Sequence, residues 1–248
     1  MSLFQSLFGK KVIYENPIIV DIHSHFIPGI DDGVATESES LDLITGLYHL
    51  GYKKLITTPH IFHGVYNNSY DSILPGLDRM RKLIQQSGMK IELEASAEYF
   101  FDEYFLRNIQ NETLLPFGDN YVLFELPSSS KPPQVEDAVF ELTLKGYKPV
   151  LAHPERYPFY NEPGFSSLEK LKSMGVLFQV NALSLSGFYS PKVQRFAKQL
   201  IKQNWIDWVG SDMHNHRYFD NFKIAIQTEA YHQLCTSGNL LNNTLITH

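Results

Sequence analysis

Imidazoles and carboxylates in this chain gather at the ends of short apolar runs. They occur as Asp21-Ile22-His23-Ser24-His25, Thr58-Pro59-His60, Ala97-Glu98, Phe124-Glu125, Ala152-His153-Pro154-Glu155-Arg156 and Ser211-Asp212-Met213-His214. Five imidazoles with several carboxylates and no thiolate form a nitrogen and oxygen ligand set. Such a set suits Mn²⁺, Fe or Zn²⁺ better than a thiolate zinc site or a calcium cage. His23 and His25 stand two positions apart, so on an extended strand both rings leave from the same side. A single His at a strand end is ordinarily a hydrogen-bonded structural residue, and only the repetition at one end of many runs points to metal. His49 and His232 fall inside helix candidates and His248 ends the chain, which makes them solvated or structural. His63 and His216 lie near the same ends and read as ordinary loop residues.

Strand-like runs cover residues 18–22, 54–57, 91–97, 121–126, 149–152, 176–180 and 207–209, with β-branched and aromatic residues in most of them. Helix-like segments at 37–50, 69–87, 102–108, 134–145, 167–174, 191–203 and 219–234 alternate with them. Several ends are readable. Thr36 can cap the first helix, Gly51 and Gly88 follow the first and second, and Pro191 suits an early turn behind Ser190. Alternation of this kind requires parallel pairing, in a closed barrel or an open doubly wound sheet. His-Ser-His follows Ile22 where an open nucleotide-binding sheet would carry a glycine-rich phosphate loop, which favours the barrel. In a barrel all strands end on one rim, so the ligand-capable residues converge there.

The 248 residues carry 21 Lys+Arg against 27 Asp+Glu, a formal charge of −6, and no basic stripe, which argues against nucleic acid as a partner. No apolar run reaches the roughly 18 to 20 residues of a membrane span. Cys235 is the single cysteine, so no internal disulfide is available and a reducing, cytoplasmic setting is expected. It is followed six positions on by Leu241, not arginine, so a nucleophilic cysteine paired with an arginine at that spacing is excluded. Residues 1–11 read as mature sequence rather than a signal peptide. Their Leu3, Phe4, Leu7 and Phe8 would form one apolar helical face.

The motifs D-I-H-S-H-F-I-P-G-I-D-D-G (residues 21–33), T-P-H (58–60), A-E-Y (97–99), F-E-L (124–126), A-H-P-E-R-Y (152–157), Q-V-N (179–181) and S-D-M-H-N (211–215) occur in one order along the chain. In this the chain resembles the polymerase and histidinol phosphatase (PHP) superfamily. Within it the likeness is to the bacterial metal-dependent protein-tyrosine phosphatases of capsule and exopolysaccharide loci. The resemblance implies an α/β fold, a distorted (β/α)7 TIM-like barrel in a single domain over residues 18–248, with residues 1–17 as an N-terminal extension. It also implies three divalent ions, manganese first and iron or zinc as alternatives. Carried over by motif, His23, His25, Glu98 and Asp212 would hold the first ion. Glu98 would bridge to a second, completed by Glu125 and His153. Asp32, His60 and His214 would hold the third, with Asp31 the alternative to Asp32. Glu98 and Asp212 count among the catalytic residues on this likeness. The implied partner is a tyrosine-phosphorylated protein, a tyrosine autokinase with a tyrosine-rich tail, and oligomer formation is left open. Residues before the first strand are more numerous than is usual in the family. After S-D-M-H-N the family's second phosphate-binding arginine lies a few residues farther on than Arg217, which is its stand-in here.

A phosphate monoester dianion resists attack by water, so its hydrolysis needs charge neutralisation, orientation and hydroxide at neutral pH. Clustered divalent metals provide all three, and in-line attack by metal-bound hydroxide is the expected chemistry. Arg156, with Arg217, would grip the non-bridging oxygens. Phosphotyrosine also needs an apolar slot, for which Phe62, Tyr66, Tyr99, Phe100, Tyr157, Phe159 and Tyr218 are candidates.

Overall fold

The computed structural model describes residues 15–246; the apolar face read in residues 1–11, and His248, lie outside the described residues. Val20–Asp21 (β1) leads to Glu37–His49 (α1), Lys54–Thr57 (β2), His60–Ile61 (β3), Tyr70–Ser87 (α2), Glu92–Ala95 (β4), Glu98–Phe100 (β5) and Glu103–Asn111 (α3). Tyr121–Glu125 (β6), Val135–Leu144 (α4), Lys148–Ala152 (β7), Ser166–Ser173 (α5), Leu177–Asn181 (β8) and Ala182–Ser186 (α6) follow. Pro191–Lys202 (α7), Ile206–Gly210 (β9), His216–Ala225 (α8) and Glu229–Thr236 (α9) complete the order, apart from short 3-10 turns.

Every strand pair is parallel. The ladders run β1-β2-β4 and β3-β5-β6-β7-β8-β9. The two sheets are parts of one ring. Across the gap between β2 and β3 the ladder continues, with Ser96 N donating to Thr57 O (2.8 Å) and Glu98 N to Pro59 O (3.1 Å). β3 is thus the prolongation of β2, interrupted at Pro59, which has no N–H to give, and β5 prolongs β4. A parallel bridge between Ser24 and Met213 closes the ring, with Asp212 N on His23 O at 2.8 Å and His25 N on Met213 O at 2.9 Å. The expected barrel of seven staves is therefore the architecture, two of its staves being broken. The run expected at 91–97 splits at Ser96-Ala97, and the helix expected at 219–234 splits in two. Thr228 divides that helix because its hydroxyl caps α9 by accepting from Tyr231 N (3.2 Å).

Local signals fix the other ends. Thr36 Oγ1 accepts from Glu39 N at 3.2 Å, Gly88 adopts the left-handed conformation behind α2, and Ser190 caps α7 with Pro191 in its first turn. Helix α1 turns Leu43, Ile44 and Leu47 into the layer between strands and helices. A second apolar cluster draws Val20, Ile56, Leu123, Val150 and Trp208 from around the ring, which places it inside the barrel. Below it Asn242 seals the ring, donating to Val20 O (3.0 Å) and Val209 O (2.8 Å) and accepting from Val209 N (3.1 Å). That end is closed by packing, which leaves the opposite rim for polar groups. No helix among the described residues is long and apolar enough to cross a membrane.

Candidate metal centre

Glu98, at the head of β5, is fully buried and stands at the middle of the rim. Its Oε2 lies 3.0 Å from His23 Nε2, 3.3 Å from His60 Nδ1 and 3.6 Å from His25 Nε2, while Oε1 lies 3.0 Å from His153 Nε2. Asp212 Oδ1 is 3.4 Å from His23 Nε2, 3.5 Å from His25 Nε2 and 3.5 Å from His214 Nδ1. Asp32 Oδ1 faces His60 Nε2 at 3.3 Å and His214 Nε2 at 3.6 Å. Glu125 Oε1 is 3.3 Å from His60 Nδ1, and its Oε2 is 3.9 Å from His153. Three groups follow, each with one ligand atom per residue within 4.8 Å of the others. They are His23, His25, Glu98 and Asp212; His25, Asp32, His60 and His214; and His60, Glu98 and Glu125. These groups provide for up to three metal ions.

The donor set fits such ions. His25 Nε2 and His60 Nδ1 are buried and make no hydrogen bond, yet both face the Glu98 carboxylate. Buried polar atoms are ordinarily satisfied, and a cation among these lone pairs satisfies them. Backbone strain is concentrated at the same place. His153 and Asp212 are non-glycine residues in the left-handed region, at φ 35° and 51°, where the surrounding structure must hold them.

Two neighbours set the geometry from behind. Asp31 Oδ2 accepts from His25 Nδ1 (2.8 Å) and from His60 N (3.0 Å), and its Oδ1 accepts from Gly33 N (3.0 Å). Asp31 thus turns away from the cluster and Asp32 turns into it, which separates the two adjacent carboxylates. A Cβ on Gly33 would overlap the His25 backbone and side chain, so the turn closes only with glycine. Asp21 accepts from both Ser211 N (2.9 Å) and Ser211 Oγ (2.6 Å), tying the first stave to the last.

Charges in the cluster are strongly coupled. Burial opposes a charge on His23, but the carboxylates of Glu98 and Asp212 outweigh it and raise the imidazole to about 9. His60 is likewise raised to about 10, against burial, by Glu98, Asp32 and Glu125. His153 goes down to about 4, through burial and then the Arg156 charge. Glu125 is pushed up to about 8 by burial and by Glu98. The His214 and His60 hydrogen bonds hold Asp32 far below the usual carboxylate range.

The cluster opens into a cavity of about 330 Å³ lined by Asp32, His60, Glu98, Glu125, His153, Arg156, Asp212 and His214 together with Phe62, Tyr66, Phe100 and Tyr218. Phe62 and Phe100 stack with centroids 3.8 Å apart, and Tyr66 stacks on His60 at 5.6 Å. Of the other aromatics considered for the mouth, Tyr99 and Tyr157 are core residues whose hydroxyls accept from Leu115 N and Leu126 N, and Phe159 packs against the core. Arg156 lines the cavity, its Nη1 3.3 Å from Asp212 Oδ2. Arg217 does not line it: this exposed residue lays its guanidinium 5.2 Å over the Phe188 ring. His63 is exposed and stacks on Tyr104, and His216 opens α8. Gln179 and Asn181 lie within the Q-V-N string but had no role in the sequence reading. Tyr189, which reaches Asp212, carried no sequence signal at all.

Comparison with known proteins agrees with this geometry. Residues 19–220 match the family described as capsular polysaccharide synthesis, CpsB/CapC. Tyrosine-protein phosphatase YwqE of Bacillus subtilis (strain 168) is 30% identical over 198 residues, 79% of this chain and 78% of that protein. Tyrosine-protein phosphatase CpsB of Streptococcus pneumoniae is 25% identical over 203 residues, 79% of this chain and 83% of that one. A crystal structure from the pair YwqE of Bacillus subtilis and CpsB of Streptococcus pneumoniae, described as unique metal-dependent tyrosine phosphatases, shares the fold. It superposes with a TM-score of 0.76 at 28% identity, over 87% of this chain and 90% of that chain. By this match, with the parallel barrel and its rim of ligand-capable side chains, the chain belongs to the CpsB/CapC family of capsular polysaccharide synthesis, the family of the metal-dependent tyrosine phosphatases YwqE and CpsB.

Proposed function

We propose that the protein is a metal-dependent protein-tyrosine phosphatase acting on a tyrosine-phosphorylated protein, a bacterial tyrosine autokinase of polysaccharide synthesis, in the cytoplasm. The observation that carries this is the convergence of His23, His25, Asp32, His60, Glu98, Glu125, His153, Asp212 and His214 in one cluster, all but the buried His23 and His25 lining an aromatic-walled cavity beside Arg156. In this reading those nine residues would hold three ions, with Glu98 shared between two of the ligand groups. Manganese is the expected metal, with iron or zinc as alternatives for the same nitrogen and oxygen donors. Divalent metal held there would supply charge neutralisation for the phosphate and water of lowered pKa.

The chain's own residues do the rest. Arg156 keeps its charge, favoured by Asp212 and the neighbouring phenols, and presents a planar guanidinium to non-bridging phosphate oxygens. The Phe62–Phe100 stack, Tyr66 and Tyr218 wall the slot for the phenyl ring. Placed over the cluster, the ring directs its ester oxygen outward and its phosphorus toward the ligands. A phenol leaves with a pKa of about 10, so it needs less protonation than an alkoxide and no dedicated acid must be assigned. Arg217, stacked on Phe188 outside the cavity, would supply a second phosphate contact in this reading. In this reading the phosphatase unit spans residues 18–248, and the extension expected at residues 1–17 lies mostly outside the described residues.

The test is elemental analysis of protein purified without chelator, paired with turnover of a phosphotyrosine peptide, histidinol phosphate and a single-stranded oligonucleotide. The phosphotyrosine peptide should be preferred, and its turnover should vanish on chelation and return with Mn²⁺. A clear preference for either other substrate contradicts the proposal.

A further inference from the structure

A chain of side-chain amides links two residues of the cluster behind the barrel rim. Asn181 Nδ2 is 2.6 Å from Asp212 Oδ2 and 3.0 Å from the Tyr189 hydroxyl. Gln179 Nε2 is 2.8 Å from Asn181 Oδ1, and Gln179 Oε1 is 2.9 Å from His23 Nδ1. Gln179 and Asn181 are fully buried, as is His23.

The direction of every bond in this chain is forced from one end. An ionised carboxylate only accepts, so the Asn181 amide must turn its NH₂ to Asp212 and its oxygen to Gln179. Gln179 must then donate to Asn181, which leaves its oxygen for His23. His23 must therefore carry a proton on Nδ1. Its Nε2, which faces Glu98 Oε2 and Asp212 Oδ1, is then the nitrogen left to act as a ligand.

The other end is fixed as well. Asp212 Oδ2 takes Asn181 Nδ2, the Tyr189 hydroxyl (3.1 Å) and Arg156 Nη1 (3.3 Å), so only Oδ1 is left for the imidazoles of the cluster. The Tyr189 ring also lies 4.8 Å under the Arg156 guanidinium. Space for the arrangement comes from Gly210, where a Cβ would stand 2.7 Å from both Gln179 Nε2 and His23 Cβ.

We propose that Gln179, Asn181 and Tyr189 are positioning residues that hold His23 in the Nδ1–H form and Asp212 as a one-oxygen ligand. The inference rests on the metal-site reading above. It is tested in the full chain with Gln179→Met, which cuts the amide chain, and Tyr189→Phe, which removes one donor to Asp212 but keeps the ring under Arg156. Mn²⁺ affinity is measured by calorimetry, and the His23 tautomer by ¹⁵N NMR of the zinc-loaded protein. Wild type should show a protonated His23 Nδ1. Gln179→Met should weaken Mn²⁺ binding about 10- to 100-fold and lose that signature. Tyr189→Phe should weaken binding less than Gln179→Met does. Wild-type Mn²⁺ affinity and an intact Nδ1–H signature in Gln179→Met overturn the proposal. So does unchanged Mn²⁺ affinity in Tyr189→Phe, the milder variant, should Gln179→Met melt before it can be measured. Failure of the wild type itself to bind Mn²⁺ is a different result, and it removes the metal-site reading.

Discussion

The Asp31 carboxylate accepts a hydrogen bond from His25 Nδ1 at 2.8 Å and so aims His25 Nε2 at Glu98 and Asp212. Its neighbour Asp32 points the other way, into the cluster. Two adjacent, chemically identical residues are thereby divided between orienting a ligand and acting as a candidate one.

Asp31→Asn should accordingly weaken Mn²⁺ binding about 10- to 100-fold, the usual effect of removing a carboxylate behind a ligating imidazole. Calorimetric titration checks this. Unchanged affinity in Asp31→Asn would show that His25 needs no such partner.

Metal uptake should release protons. His23, raised to about 9, and His60, raised to about 10, are protonated at pH 7 in the metal-free protein, and so is Glu125 at about 8. Ligands bind in the deprotonated form, so apparent Mn²⁺ affinity should rise as pH goes from 6 to 9. Calorimetry in buffers of different ionisation enthalpy counts the protons. An affinity flat across that range rules out the coupling.

The two arginines should separate. Arg156 touches Asp212 and lines the cavity, so Arg156→Ala should lower kcat/KM for a phosphotyrosine peptide about 100-fold or more, a loss of a charged contact in a shielded site. Arg217→Ala removes a side chain stacked outside the cavity, and its loss should be smaller. Steady-state kinetics on both variants decide, and a larger loss in Arg217→Ala reverses the assignment.

Cys235 offers the reverse case. Burial pushes its thiol up to about 12, so it is not a nucleophile at neutral pH. Cys235→Ser should keep turnover within about twofold, since no thiolate takes part in a metal-assisted hydrolysis. Loss of activity with the metal content intact would revive a cysteine route.

Much of this molecule was legible because its chemistry sits at strand ends, where sequence order and spatial order coincide. Once parallel pairing is inferred, His23, Glu98, Glu125, His153 and Asp212 must share a rim. The breaks at Pro59 and at Ser96-Ala97 were not legible, since a strand can end while its ladder runs on through isolated bonds. Tyr189 was hidden for another reason. It comes from a loop behind α6, and only the fold brings its hydroxyl to Asp212. The Tyr99 and Tyr157 side chains looked like mouth residues because they follow strand ends, yet alternation turns Tyr99 into the core and the 3-10 turn Pro154–Arg156 carries Tyr157 back into it. Asp31 and Asp32 could be told apart only by the tight Gly33 turn that sets their directions.

The most direct measurement is the metal content and phosphotyrosine-peptide turnover of Glu98→Ala beside the wild type. Glu98 contacts four of the five clustered imidazoles, so its removal should deplete bound metal and take turnover to background while the barrel stays folded by circular dichroism. A folded Glu98→Ala protein that retains its metal and turns over at near wild-type rate would contradict the account.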